Sequence, residues 1–180
     1  MSGHNKWSKI KNKKAVTDAY KARVFSKLVR FITVESKKAK GDINSPGLRT
    51  AIEKAKAENV PSDNIDRAVK KGLGGEAGAM EQITYEAYGP GGCALMIEAL
   101  TDNRNKAAQE IKHILSKNGY ELAVPGSAAW AFDPPAGGER TWLPKVSAQI
   151  TEEDGAKLST LIEELEENET SLSEIKSPSG

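Results

Sequence analysis

The stretch CALMIEALTDNRNKAAQEIKHILSKN, residues 93–118, changes its hydrophobic period partway along, and that change makes the chain a mixture of strands and helices. Cys93 to Leu100 is a nearly continuous apolar run of strand length, suited to a central strand covered on both faces. From about Asn105 to Asn118 the positions Ala108, Ile111, Ile114 and Leu115 fall on one side of a helix, which Gly119 stops. Upstream, Ile83, Tyr85 and Ala87 alternate with Thr84, Glu86 and Tyr88, the period of a half-buried strand over Glu81 to Tyr88, and Gly89, Pro90, Gly91 and Gly92 turn the chain. Downstream, Ala128 to Phe132 reads as a short strand, Asp133 to Gly138 as a connector, and Trp142 to Ile150 as a strand despite Pro144. Thr151 with Asp154 approximates a capping box for a helix bearing Leu158, Leu161, Ile162 and Leu165, and Ser171 to Lys176 adds an edge strand. From Cys93 the order is strand, helix, strand, strand, helix, strand. That predicts an α+β ferredoxin-like sandwich over residues 81–176 with an extra N-terminal strand, ahead of a disordered tail at 177–180.

The first part of the chain has no strand period. Val16, Tyr20, Val24, Phe25, Leu28, Val29 and Ile32 recur at three- and four-residue spacing, predicting an amphipathic helix from Val16 to Lys40 preceded by a basic arm. Ser45-Pro46 opens a second helix running to about Glu58, and Ile65, Ala68 and Val69 mark a third, stopped by Gly72. Three amphipathic helices bury their stripes together, so residues 1–71 are expected to form a basic helical bundle. Residues 72–80, with Gly72, Gly74, Gly75 and Gly78, read as a linker. They are no dinucleotide fingerprint: that motif needs glycine where Ala77 stands, and it follows a strand.

The formal net charge of +1 hides two opposed parts. Residues 1–71 hold 14 Lys and 4 Arg against 7 Asp and Glu, a net of +11, while residues 72–180 hold 8 basic and 18 acidic side chains, a net of −10. The basic residues are densest at Lys6, Lys9, Lys11, Lys13, Lys14, Lys21, Arg23, Lys27 and Arg30. A one-signed cluster of this kind fits a polyanion, because lysines and arginines on phosphates release condensed counterions. Trp7, inside the cluster, has two readings: stacking on a base, or pinning the arm with Ile10 onto the helices behind it.

Composition narrows the remaining classes. The chain has 180 residues, 38% hydrophobic and 28% charged, a polar folded protein. Cys93 is its one cysteine and His4 and His113 its only histidines, so no internal disulfide, metal site or cofactor is expected. The longest uncharged runs, Ala87 to Ile97 and Leu122 to Phe132, are too short to span a membrane, and the basic N-terminus lacks the apolar stretch of a secretory signal. The expected location is the cytoplasm. The acidic residues Glu152, Glu153, Asp154, Glu163, Glu164, Glu166, Glu167 and Glu169 flank a helix start or face solvent. Thr101, Asp102, Asn103, Arg104 and Asn105 form a polar cluster where a strand leads into a helix. Asp102 is its candidate cap, and the cluster is a candidate contact for phosphate or a protein partner. The alternative to a binding protein is a small enzyme with a site near Cys93, His113 and Asp102.

Several motifs resemble one family. Gly3, His4, Asn5, Lys6 and Trp7, then Ile10, Lys11, Lys14, Ala15, Asp18, Arg23, Phe25, Lys27 and Leu28, are similar to the opening of the YebC family. The resemblance continues in Tyr85, Glu86, Tyr88 and Gly89-Pro90-Gly91-Gly92, in Asp102-Asn103-Arg104-Asn105, and in Pro125-Gly126-Ser127 with Trp130 and Phe132. It implies a three-domain architecture and a non-catalytic regulator of gene expression. The expected partner is duplex DNA, or ribosomal RNA and the ribosome, the latter because a mitochondrial relative activates translation of cytochrome c oxidase. This chain departs from the pattern after Phe132, where the family inserts a third domain and Asp133 to Gly138 here leads almost directly to Trp142. It departs again at Tyr120, where the family has a second glycine.

Overall fold

The computed structural model describes residues 3–74, 80–135 and 142–168, with side chains from Asp18 onward. Three helices come first: α1 (Gly3–Ala39), α2 (Pro46–Ala57) and α3 (Ser62–Leu73). The arm expected ahead of Val16 is itself helical. Its lysines are good helix formers, no proline or glycine intervenes between Gly3 and Gly41, and the helix therefore extends to 37 residues, about 55 Å. Among the residues whose side chains are described, packing begins at Phe25. The bundle core consists of Phe31, Ile32 and Val34 from α1, Leu48, Ala51 and Ala55 from α2, and Val60, Ile65 and Ala68 around α3, with Phe25 and Leu28 at its edge. Asp18, Ala19, Tyr20, Lys21 and Ala22, one turn earlier, are exposed. Ser45 caps α2, its hydroxyl accepting from the Leu48 amide at 3.4 Å, with Pro46 as the first helical residue.

Gly72 does not stop the third helix. It lies inside α3, buried at the crossing with α1, where an added Cβ would stand 2.5 Å from Ser36 Cβ and 2.7 Å from the Thr33 carbonyl oxygen. The Ser36 hydroxyl donates to the Val69 carbonyl at 2.7 Å across the same contact. The helix ends one residue later, at Leu73, with Gly74 as its cap. Gly75 and Gly78 of the expected linker lie outside the described residues.

Strands β1 (Glu81–Tyr88) and β2 (Ala94–Thr101) form an antiparallel hairpin in register from Glu81 opposite Thr101 to Tyr88 opposite Ala94. A single 3-10 turn at Pro90–Gly92 joins them, with Gly91 and Gly92 at φ of 65° and 75°, a conformation glycine adopts without strain. Every residue of β2 is buried, Glu98 included, as the nearly continuous apolar run requires. Leu95, Ile97 and Ala99 meet Ile111 and Leu115 of α4 (Arg104–Lys117) and Leu158, Leu161 and Leu165 of α5 (Glu152–Glu167). On the opposite face Ala94 and Met96 pack on Ala128, Ala131 and Phe132, and Leu100 joins the bundle core. Replacing Ile97 with Ala is expected to cost about 3 kcal/mol of stability, read from the urea midpoint, because neighbours on two helices leave the cavity little room to collapse.

The chain is thus α+β, a three-helix bundle followed by a small antiparallel sheet and helices. Its ladders are shorter than the ferredoxin-like order predicts. Ala128 to Phe132 is a 3-10 turn at Ala129–Ala131 leading into a two-residue strand, β3 (Phe132–Asp133), and only Leu143–Pro144 of the expected Trp142 to Ile150 strand pairs with it, as β4. The physical reason is that other groups already hold the amides. The Glu86 carboxylate accepts from Ala128 and Ala129, the Ala131 amide donates to the Ala128 carbonyl, and Pro144 has no N–H to offer. The described residues accordingly make two two-stranded sheets in place of one larger sheet, while Ser171 to Lys176 lies outside them.

Candidate nucleic-acid interface

The side chains of Lys6, Trp7, Lys9, Lys11, Lys13 and Lys14 lie outside the described residues, but their backbone is the opening of α1. At about 100° per residue these positions fall into two rows. Lys6, Lys9 and Lys13 share one flank of the helix within about 60°, and Lys11, Lys14 and the exposed Lys21 share another, centred more than about 100° around.

Further along, Arg23, Lys27 and Arg30 face other parts of the protein. Lys27 is only 6% exposed, and its ammonium donates to the Glu166 main-chain carbonyl near the end of α5. Burial pushes the Lys27 ammonium below the ordinary lysine value. The Glu166 carboxylate pulls it back up, and Arg23 and Arg30 add to the downward push. Burial likewise holds the Glu166 carboxyl above the ordinary carboxylate range, with Lys27 opposing the shift and Glu163 adding to it. Arg23 faces Glu167 at 3.7 Å. Arg30 lines a cavity of about 200 Å³ with Asp102, Lys106, Glu110 and Asn168, between the bundle and the start of α4. Lys27 therefore belongs to the joint between the two parts of the molecule, together with Arg23 and Arg30.

The cluster from Thr101 to Asn105 is ordered by its own hydrogen bonds. The cap of α4 is Asn103, not Asp102: its side-chain oxygen accepts from the Lys106 amide at 3.0 Å, while Asp102 stays exposed on the turn. Asn103 wins because the Thr101 hydroxyl fixes it from both sides, accepting from its amide at 2.9 Å and donating to its carbonyl at 3.0 Å. Arg104 makes two parallel bonds to Glu81, at 3.1 and 2.9 Å, which lower the Glu81 carboxyl and raise the guanidinium, and Asn105 is exposed.

Cys93, His113 and Asp102 are not brought together. Cys93 is fully buried at the start of β2, and Asp102 follows its other end, about 30 Å away along an extended strand; His113 is exposed on α4. Among the described residues no three His, Cys, Asp or Glu side chains are grouped to hold a metal ion, and no helix is long and apolar enough to cross a membrane.

Glu86 has a role that strand alternation alone cannot assign. Its carboxylate accepts from the amides of Gly126 at 2.6 Å, Ala128 at 2.7 Å and Ala129 at 3.0 Å, fixing the Pro125-Gly126-Ser127 loop against β1. Beside it the Trp130 indole donates to the Tyr88 hydroxyl at 3.0 Å, and that hydroxyl donates to the Ser127 carbonyl. A charged residue on a strand face near a Pro-Gly loop is the only sequence signal for this arrangement. Glu86→Ala leaves three amides without their acceptor and is expected to cost about 3 kcal/mol, with faster proteolysis near Gly126 as the readout.

Two family models match the chain: the TACO1/YebC protein N-terminal domain over residues 5–75, and the TACO1/YebC second and third domain over residues 80–137. A protein from Desulfatibacillum aliphaticivorans is 55% identical over 135 residues, covering 74% of this chain and 55% of that protein. One from Petrotoga mobilis is 51% identical over 135 residues, covering 74% and 54%. Both are named "probable transcriptional regulatory protein", and the chain spans about half the length of these relatives. A crystal structure of a conserved hypothetical protein from Aquifex aeolicus superposes with a TM-score of 0.80 at 30% identity, covering 91% of each chain. With its bundle, its hairpin module and both family models in agreement, the chain belongs to the TACO1/YebC family.

Proposed function

We propose that this chain is a non-catalytic, DNA-binding regulator of gene expression working in the cytoplasm, and that the first half of α1 makes its main contact with the duplex. The observation that carries this reading is the continuity of α1. The sequence alone offers no candidate recognition helix, which leans the expectation toward RNA or the ribosome. An unbroken helix that runs ahead of the bundle core supplies such a candidate. Its two lysine rows suit a major groove, which admits one helix between two phosphate backbones, whereas the major groove of duplex RNA is too deep and narrow for side chains to read. The names of the relatives support the regulatory part of the reading. Because phosphate contacts supply affinity without base readout, binding is expected to be strongly salt-dependent and tolerant of sequence.

The test is direct titration of the purified chain against duplex DNA, single-stranded RNA, duplex RNA and ribosomes in low-salt buffer. Tightest binding to DNA with a steep salt dependence is the expected result. Preference for ribosomes or RNA moves the contact to translation, and indifference to all four overturns the reading.

A further inference from the structure

The carboxylates at the end of α5 stand at the wrong end of a helix. Glu163, Glu164, Glu166 and Glu167 crowd its last turns, where the peptide dipole is already negative, and no basic residue of α5 lies in its last turn. Neighbouring carboxylates at this spacing also repel one another. The compensation comes from other elements. Lys117 and Asn118 of α4 reach the Glu164 carboxylate at 3.2 and 2.9 Å, while on α1 Lys27 donates to the Glu166 main-chain carbonyl and Arg23 faces the Glu167 carboxylate at 3.7 Å. On α1, Arg23, Lys27 and Arg30 stand within about 60° of one another, on a flank centred about 60° around the helix from that of Lys6, Lys9 and Lys13 and overlapping it at Lys9 and Lys27. The acidic tip of α5 thus rests on a basic flank of α1 that overlaps the first lysine row at Lys27.

We infer that the α5 tip is a displaceable phosphate mimic, covering a second stretch of phosphodiester-binding surface on α1 and holding the chain in a weaker-binding state. The inference rests on the proposed DNA contact and deepens it. The outer pair, Arg23 with Glu167, is long and partly solvated, so it opens easily. A polyanion that winds part-way around α1 from Lys9 meets Arg23, and its phosphates replace the Glu167 carboxylate in kind.

The test compares two double variants on a short DNA duplex of mixed sequence. Glu163→Gln with Glu167→Gln loosens the tip; Glu152→Gln with Glu153→Gln removes the same formal charge at the far end of α5. The tip variant is expected to bind about eightfold tighter at 0.1 M salt, with a salt slope steeper by about 0.9, the value of one added phosphate contact. The control variant is expected to gain less than about twofold, since it adds no phosphate contact. In an Arg23→Gln background the tip variant's advantage disappears. Equal gains from both pairs, or none from the tip, overturn the latch while leaving wild-type DNA binding intact. If the wild-type chain ignores the duplex, the reading of α1 as a DNA contact fails, and a second arm decides the latch. Amide exchange across Glu163 to Glu167 is followed on adding inorganic polyphosphate: faster exchange supports displacement of the tip, and unchanged exchange overturns it.

Discussion

Replacing Lys9, Lys11, Lys13 and Lys14 together with Ala is expected to weaken binding to a short DNA duplex by about three orders of magnitude at 0.1 M salt. The expectation follows from counterion release: each phosphate neutralised contributes about 0.9 to the slope of log affinity against log salt on a duplex, and about 0.7 on a single strand. Four lost contacts remove about 3.6 from the slope in the first case and about 2.8 in the second, so the same titration reports which polymer is engaged. Positions 9 and 13 stand on one flank of α1 and positions 11 and 14 on the other. If both flanks reach phosphates, the two double variants, Lys9 with Lys13 and Lys11 with Lys14, each lose about half of the slope. If one flank does all the binding, one of the doubles leaves the titration unchanged and the groove reading is wrong. Alanine favours helix, so circular dichroism should show α1 intact in every variant. The loss is then one of charge.

Gly72→Ala is expected to destabilise the protein by about 3 kcal/mol, opposite in sign to the usual result. Within an exposed helix, glycine to alanine stabilises by about 1 kcal/mol, because alanine has less backbone freedom to lose. At Gly72 the added methyl would lie 2.5 Å from Ser36 Cβ and 2.7 Å from the Thr33 carbonyl oxygen, and one of these is main chain that cannot rotate away. Relief requires α3 to move off α1, disturbing the contacts of Ile65 and Ala68 in the bundle core and the bond from Ser36 to Val69. Gly155→Ala in α5 is the matched comparison. Its nearest neighbour outside its own turn is Ile150 Cδ1 at 3.8 Å, an ordinary contact, so that variant should gain about 0.5 to 1 kcal/mol. Urea midpoints for the pair check both signs. A stabilised Gly72→Ala would mean that the α1–α3 crossing is looser than these distances state.

Some features follow from local chemistry alone. The nearly continuous apolar run of Cys93 to Leu100 demands cover on both faces, and β2 has it. The Ser45-Pro46 start, the Ile65, Ala68 and Val69 stripe and the alternation of Glu81 to Tyr88 likewise depend on nearest neighbours along the chain, and they stand where periodicity places them, whereas Tyr20 of the expected α1 stripe is exposed. The two opposed charge domains are arithmetic on the sequence. What the sequence could not decide was which polar group would win each contest over distance. The Ala128 to Phe132 run has strand composition, but a carboxylate from β1 captures its amides, so a turn forms. Gly72 has the composition of a helix stop, but the space it vacates is filled by α1, so the helix continues. Lys27 has the look of a solvent-facing cation, but α5 ends against it, and an ammonium beside a helix's unpaired carbonyls stays there. In each case the intrinsic preference is worth about 1 kcal/mol or less, and a tertiary contact of greater strength overrides it. Pattern along the chain therefore set the elements and the polarity of the molecule. Packing alone determined which of its described charges meet one another.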